Sequence, residues 1–174
     1  MGTLKRVLFC AAVPFLCLAV SGCGYQLGSV MHPQVKTIAI APIKNETLEE
    51  FATPCMRQAL SEQFQLDNSL KVKTVEEADC VLYGRVVSVK TTGIGFDSTN
   101  NEQTYAPAEF GLEITFEFNV IIPGRSKSLI NTREVSGKAA YQVTADNEIA
   151  RRRGIQMACR DAAQKAVVYT VEAW

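Results

Sequence analysis

The chain has 174 residues, 47% of them hydrophobic, and its 18 basic and 18 acidic side chains leave no formal net charge. This balance argues against a general nucleic-acid-binding protein, which should carry a concentrated positive field. A chain of this length fits one compact domain with an ordinary hydrophobic core.

The start of the chain has the features of an export signal. Lys5 and Arg6 precede an uncharged run at 7–20, which is as long as the apolar part of a signal peptide but too short to span a bilayer. Two small residues, Ser21 and Gly22, follow this run and immediately precede Cys23. This arrangement resembles the bacterial lipobox. We therefore expect residues 1–22 to be a signal peptide and Cys23 to be lipidated. The alternative is an ordinary cleaved signal with a cysteine at its edge by chance.

A lipidated Cys23 would hold the mature chain on a membrane. One acyl chain binds only marginally, whereas two or more hold stably, because each buried methylene contributes about 0.8 kcal/mol. Gly24 follows the cysteine, and the absence of an aspartate there favours the outer membrane in the proteobacterial sorting scheme. The small and polar residues at 23–34 predict a tether, followed by a single domain at 35–174.

The first part of that domain predicts a strand, a helix and a strand. The β-branched run at 35–43 predicts a largely buried strand. The helix is expected to begin either at Thr47, with Glu50 completing a capping box, or at Thr53, with Pro54 in its first turn. Its apolar stripe comprises Phe51, Cys55, Ala59, Leu60 and Phe64.

Longer strands are predicted in the middle of the chain. A brief strand at 70–75 is followed by a long one at 80–91, with Val81, Tyr83, Val87 and Val89 expected on one face. Residues 93–107 lack periodicity and predict a mobile excursion or a binding loop. Strict alternation over 110–122 predicts a strand with one buried and one solvated face. The side chains expected to anchor the core there are Phe116 and Phe118.

The last part predicts a turn, a returning strand and a final helix. Pro123 and Gly124 make the turn, the strand runs over 127–141, and the helix extends from Asp146, its N-cap, to Trp174. One stripe of mostly small residues should let this helix approach a sheet closely: Ile155, Ala158, Cys159, Ala162, Ala166, Tyr169 and Ala173.

The six cysteines suggest a set of disulfides, but removal of the signal peptide changes this count. Cleavage deletes two of them and Cys23 carries lipid, so Cys55, Cys80 and Cys159 remain. Each lies among apolar residues, which favours small buried hydrophobes. A single bridge is left open in an oxidising envelope, but the sequence does not choose the pair.

The domain lacks the residue types of common active sites. The one histidine, His32, lies in the tether, so neither a histidine triad nor a histidine metal cluster can be built in the domain. Glu109, Glu113 and Glu117 share the solvated face of one strand, and a polar surface explains them better than acid–base catalysis. We expect no enzyme activity, no metal and no cofactor.

Basic residues suggest an anion site instead. Arg125 and Lys127 lie at a turn, Arg133 and Lys138 on the next strand, and 151–153 near the start of the last helix. Guanidinium groups bind phosphates and carboxylates of lipid headgroups in a bidentate manner. Ordinary solvated charge is the alternative.

The order of several short motifs resembles the LptE family of lipopolysaccharide-assembly lipoproteins. The motifs are Gly22–Leu27, Lys36–Thr47, Ala78-Asp79 before Val81–Gly84, the alternating strand after Glu109-Phe110, and the alanine-rich last helix. The resemblance covers nearly all of the mature chain. It implies an α+β fold in which two helices pack on one face of a mixed four- to five-stranded sheet.

The resemblance also implies a function. It implies a lipoprotein at the periplasmic face of the outer membrane that assists lipopolysaccharide assembly and delivery to the cell surface as plug and partner of a β-barrel translocon. The family's lipid-binding residues have no short motif here, so the lipopolysaccharide-binding candidates come from charge alone: Arg125, Lys127, Arg151, Arg152 and Arg153. The alternative is an envelope lipoprotein that activates a peptidoglycan synthase. The identity of the partner protein would distinguish the two functions.

Overall fold

The computed structural model describes residues 34–96, 107–142 and 146–172. The expected signal peptide and almost all of the tether lie outside these residues. The described chain is an α+β fold with one mixed sheet and two helices. Its strands are β1 (Thr37–Ile40), β2 (Lys44–Asn45), β3 (Lys71–Val72), β4 (Cys80–Phe96), β5 (Pro107–Ile121) and β6 (Ile130–Gln142), and its helices are α1 (Ala52–Asp67) and α2 (Asn147–Val171).

The sheet has the order β3-β1-β4-β5-β6, and β2 also pairs with β4. β1 runs parallel to both of its neighbours, whereas β4, β5 and β6 are antiparallel. The predicted fold class is confirmed. The sheet has six strands rather than four to five because the two-residue β2 lies alongside β4.

The main core lies between the sheet and the helices, and a second, small apolar cluster of Ala39, Ala41 and Val81 lies apart from it. The alternation predicted for β5 is confirmed, since Leu112, Ile114, Phe116, Phe118 and Val120 are each no more than 2% exposed. Both helices contribute to the same core, α1 through Met56, Leu60 and Phe64 and α2 mainly through Ile155 and its alanines. Neither helix in the described part of the chain has the length and apolar character needed to cross a bilayer.

The capping box expected at the start of α1 is wrong. Asn45 uses its side-chain oxygen to accept hydrogen bonds from the Thr47 backbone N–H and hydroxyl, at 3.0 and 2.8 Å. Thr47 therefore shapes a loop rather than a helix end. The helix begins at Ala52, and Pro54 lies in its first turn, as the second predicted start requires.

The middle strands differ from the sequence prediction in length and facing. The predicted strand at 70–75 shrinks to β3, whereas β4 continues through Phe96 into the predicted loop. The expected one-sided stripe on β4 is wrong, because a register shift between Val86 and Ser88 reverses the facing of the residues beyond it. Tyr83 is 43% exposed as a result of lying on the helix-free side.

The C-terminal half follows the predictions more closely. Gly124 has a φ of +80°, which explains a glycine in the turn, although β6 starts at Ile130. The predicted N-cap is confirmed, since the Asp146 carboxylate accepts from the Ile149 N–H at 3.1 Å. Tyr169 is not in the buried stripe: it is 41% exposed and Arg133 lies over its ring. Ala173 and Trp174 lie outside the described residues.

Side chains of α2 cover the outer edge of β6. The Asp161 carboxylate accepts from the Lys138 backbone N–H at 2.9 Å, and Lys165 Nζ donates to the Ser136 carbonyl at 2.7 Å. Lys165 also pairs with Asp161 at 2.8 Å. Because unpaired edge groups are templates for further strands, these bonds protect the edge from pairing with another chain.

Asp79 fastens the start of β1 to the start of β4. Its carboxylate accepts from the backbone N–H groups of Lys36 and Thr37 and from the Thr37 hydroxyl, at 2.8 to 2.9 Å. The bond from Lys36, followed by those from Thr37, lowers the pKa of Asp79. The Ala78-Asp79 motif thus has a structural role at the first strand.

Asp79→Asn should reduce the free energy of unfolding at pH 7 by no more than about 1 kcal/mol, because the site is exposed. A carboxyl group whose pKa is lowered on folding stabilises above its ordinary pKa of 3.8 and loses that contribution as pH falls through the folded value. Urea unfolding at pH 7 and pH 3 should show a smaller acid loss in the variant. Glu77→Gln, at an exposed neighbouring pair, is the control. Equal acid losses in Asp79→Asn and the unmodified protein would contradict this role.

Candidate functional site

Arg125 and Lys127 lie at one end of the sheet, which we call the turn end. This end comprises the β5–β6 turn at 122–129 and the starts of β1 and β4, because Val81 of β4 pairs with Ile121 at the end of β5. Both side chains are exposed, and neither forms an ion pair with any part of the chain that the structure describes. The turn end therefore presents two cations that have no ion-pair partner among the described residues.

The three arginines at 151–153 lie at the opposite end, which we call the helix-start end. β6 ends at Gln142, opposite Glu109 near the start of β5, and α2 then runs back along β6. Thirteen strand residues span about 40 Å. The five candidate residues therefore form two separate groups, and the structure does not bring them into one site.

Two of the three arginines are already paired. Arg151 forms an ion pair with Glu49, whose side chain is only 15% exposed. Arg152 bonds Glu148 at 2.9 Å, and its guanidinium lies 5.8 Å from the centre of the Phe51 ring. These contacts fasten the start of α2 to the segment before α1. Arg153 is exposed and has no ion pair within the described ranges.

The other two basic residues singled out from the sequence are also engaged. Arg133 lies 5.1 Å from the centre of the Tyr169 ring. Lys138 pairs with Glu113 at 3.5 Å, and both side chains are well exposed. Because exposed pairs of this kind are worth little, Lys138 is easily released to another anion.

The side of β4, β5 and β6 that faces away from the helices is polar, and we call it the open face. It carries the solvated half of the β5 alternation, and two of its cations, Arg85 and Lys138, pair with carboxylates of β5. Glu113 and Glu117 bind Lys138 and Arg85 respectively rather than forming a carboxylate pair. The main side chains of this face are Tyr83, Arg85, Ser88, Lys90, Glu113, Thr115, Glu117 and Lys138.

Arg85 organises the centre of the open face. Its guanidinium binds Glu117 through two bonds of 2.8 and 3.1 Å and donates a third, of 2.8 Å, to Glu46. The bonds that Arg85 donates to Glu117 and then to Glu46 raise the pKa of Arg85. Sequence reasoning missed this residue, because nothing local indicates that Arg85 lies opposite Glu117 in the sheet.

A depression of about 280 Å³ adjoins this network. Tyr83 and Arg85 form part of its wall, with Pro42 and Lys44 on one side and Asn119 and Thr132 on the other. The exposed Tyr83 ring beside a guanidinium is a combination that is enriched at protein interfaces. The open face therefore combines a depression with side-chain types that are common in protein interfaces.

The fold and these surfaces define a class: a small α+β domain with both helices on one sheet face and a charged, open face on the other. The chain belongs to the LptE lipopolysaccharide-assembly family, whose model matches residues 35–167. The resemblance found in the sequence is thereby confirmed. A comparison with curated proteins gives no match.

Solved structures share the fold at low sequence identity. A protein from Xanthomonas campestris is 12% identical with a TM-score of 0.54, covering 80% of this chain and 88% of its own. A hypothetical protein from Chlamydia trachomatis is 9% identical with a TM-score of 0.53, covering 78% and 98%.

Proposed function

We propose that this protein is an outer-membrane lipoprotein that assists lipopolysaccharide assembly and delivery to the cell surface, as partner and plug of a β-barrel translocon. The family match over residues 35–167 carries this proposal. The role is one of binding and assembly rather than catalysis. The signal peptide at 1–22, the lipid on Cys23 and the tether at 23–34 would place the domain at the periplasmic face of that membrane.

The position of the tether supports an orientation for the domain. Val35 follows the tether and precedes β1, which starts at the turn end. Arg125 and Lys127 therefore lie on the end through which an anchored tether would enter. Twelve extended residues reach about 40 Å, so the anchor restricts the distance of this end from the membrane.

Lipopolysaccharide binding is proposed for both basic groups. Neutralising Arg125 and Lys127 together should weaken binding at low salt roughly tenfold or more, since each cation near an anionic surface contributes about 1 kcal/mol. Neutralising Arg151 and Arg152 together should also weaken binding at low salt. Their ion pairs with Glu49 and Glu148 compete with the lipid. Binding of labelled lipopolysaccharide would be measured at low and high salt, because screening should reduce the difference.

A matched control for these variants neutralises two exposed cations on the helices, Arg57→Gln with Arg160→Gln. Thermal melts of each variant would separate lost binding from lost folding, which matters most for Arg151 and its partner Glu49. Unchanged binding at low salt in a folded double variant would remove that group from the proposed site.

The open face is proposed as the contact with the barrel. Tyr83→Ala should reduce co-purification of the barrel protein about tenfold, in line with truncation of an interface tyrosine. Tyr169→Ala is a closely matched control, because that ring is 41% exposed against 43% for Tyr83 but lies on α2. Equal effects of the two substitutions would contradict a contact through the open face.

The decisive experiment is a pull-down of the full-length chain from detergent-solubilised outer membrane. Capture of a β-barrel protein supports the proposal, whereas capture of a penicillin-binding protein supports activation of a peptidoglycan synthase. Mass spectrometry of the mature N-terminus should show an acylated Cys23, and Cys23→Ser should release the protein from the membrane. An intact Met1 or an unmodified Gly24 at the N-terminus would overturn the lipid anchor.

A further inference from the structure

Two of the three cysteines in the domain meet between the helices. Cys55 lies on α1 and Cys159 on α2, and the α2 residues Gln156 and Arg160, which flank Cys159, line the same small cavity as Cys55. A second observation confirms this approach, since Cys159 Sγ lies 3.8 Å from the carbonyl oxygen of Ala52, one turn before Cys55. The sequence left three pairings open, and the structure brings only this pair together among the described residues.

The two thiols differ in their access to solvent. Cys55 is 7% exposed and lines a small cavity of about 130 Å³ between the helices, whereas Cys159 behind it is fully buried. Glu62 and Arg160, which pair at 3.7 Å, also line this cavity and have well exposed side chains. A reagent that enters the cavity would therefore meet Cys55 first.

The third cysteine lies apart from this pair. Cys80 begins β4, is fully buried, and its sulfur contacts the Thr37 carbonyl at 3.5 Å. Burial, followed by the neighbouring Asp79 charge, raises the pKa of the Cys80 thiol to about 12. Cys80 is thus a protonated core residue and serves as an internal reference for the other two.

We propose that Cys55 and Cys159 are joined by a disulfide in the exported protein, with an external protein or low-molecular-weight disulfide as the oxidant. This bond would tie α1 to α2 and close a loop of about one hundred residues. The proposal goes beyond the lipopolysaccharide role and needs only that the chain reach an oxidising compartment.

The reaction proceeds in two exchange steps. The Cys55 thiolate attacks one sulfur of the external disulfide, which forms a mixed disulfide and expels the other sulfur as a thiolate. Cys159 then loses its proton and attacks Cys55 Sγ, which forms the internal bond and expels the second external thiolate. The two protons released by the cysteines protonate the expelled thiolates, so the chain is oxidised and the external disulfide is reduced to two thiols.

The electrostatic environment assigns these two roles consistently. The neighbouring Cys159 thiol and the charge of Arg160 lower the pKa of Cys55, whereas burial and the charge of Glu62 raise it; the net direction is downward. The neighbouring Cys55 thiol, together with burial, raises the pKa of Cys159. The accessible thiol is therefore also the better attacking group.

The test begins with the full chain purified from the envelope without reductant. Alkylation in denaturant should label one cysteine of the domain, Cys80, and mass spectrometry should find the Cys55 and Cys159 peptides linked. Reduction should expose all three thiols. Three labelled thiols, or a bridge that includes Cys80, would overturn the proposal.

Treatment of the reduced, folded protein with oxidised glutathione separates the chemistry from export. The unmodified chain should form the internal bridge, Cys159→Ser should accumulate a glutathione adduct on Cys55, and Cys55→Ser should acquire no adduct on Cys159. Cys80→Ser is the matched control and should still form the bridge. A stable adduct on Cys55 in the unmodified chain would overturn the proposal even if export and lipidation are correct.

A thermal measurement gives a second readout. The bridged form should melt about 5 °C or more above the reduced form, because a cross-link across a long loop restricts the unfolded chain. Cys80→Ser should keep this difference and Cys55→Ser should lose it. Equal melting temperatures of bridged and reduced protein would contradict the predicted tie between the helices.

Discussion

Phe116→Ala should reduce the free energy of unfolding by about 3 to 5 kcal/mol, the usual cost of removing a fully buried phenylalanine. The ring is completely buried and stacks on Phe118 with centroids 5.9 Å apart and an interplanar angle of 7°. It also lies against Gly84, where an added Cβ would stand 2.3 Å from Phe116 Cζ. Truncation therefore leaves a cavity that the backbone of β4 cannot fill.

Phe110→Ala is the matched control for this loss. Phe110 lies on the same face of β5 but is only partly buried, and it stacks on Tyr141 at 5.5 Å. Its truncation should cost about 1 to 2 kcal/mol, because less apolar area is withdrawn from water on folding. Urea unfolding would measure the loss of stability in both variants, and an unchanged m-value would show that the unfolded states are comparable. Similar losses at the two positions would show that Phe116 does not anchor the core.

The alternation that predicts Phe116 is a local signal, which is why the sequence reveals β5 so clearly. Each residue of an antiparallel strand faces opposite to its neighbour, and β5 is paired on both sides through almost its whole length. Its pattern therefore survives into the structure. The N-cap Asp146 and the turn at Gly124 are local in the same sense, since each depends on residues within three or four positions.

The features that the sequence did not predict depend on distant partners. The register shift at Val87 reverses the facing of β4 because of how β4 pairs with β5. Thr47 looks like a helix cap until Asn45 engages its hydroxyl. Arg85 gains its role only because Glu117 lies across the sheet and Glu46 beside it.

The candidate site shows the same limit. Charge alone suggests one site for the cations at 125 and 127 and those at 151–153, but the chain passes from the turn end to the helix-start end between them. Strand order and the direction of α2 decide this separation, and no local pattern contains that information. The pairing of Arg151 with Glu49 likewise requires the contact between the start of α2 and the segment before α1.

The stripe of alanines on α2 predicts that this helix approaches a sheet closely. The structure shows this approach at Gly137 of β6. A Cβ at Gly137 would stand 2.0 Å from the Ala158 carbonyl oxygen and 2.5 Å from the Ala162 nitrogen. Both are backbone atoms of α2, so no side-chain rotation can relieve the overlap. A glycine inside a strand pattern signals such an approach, but only the fold shows which helix fills the space.

Gly137→Ala should therefore cost about 3 kcal/mol of unfolding free energy, at the upper end of the usual penalty for overpacking. The helix must move away from β6, which also strains the bonds from Asp161 and Lys165 to the strand edge. Urea unfolding of the purified chain measures the loss, and faster hydrogen exchange at the Lys138 amide would report the displaced helix.

Gly111→Ala provides the comparison on the neighbouring strand. There the one tight contact of an added Cβ is with the Ile94 side chain, at 3.2 Å, whereas the Thr92 carbonyl oxygen lies at an ordinary 3.7 Å. Ile94 is 54% exposed and free to turn aside. The expected change is within about 1 kcal/mol, because alanine also suits a strand better than glycine. A Gly137→Ala protein that unfolds at the same urea concentration as Gly111→Ala would show that α2 can move off the sheet at no cost. That outcome would contradict close helix–sheet contact as the reason for glycine at this position.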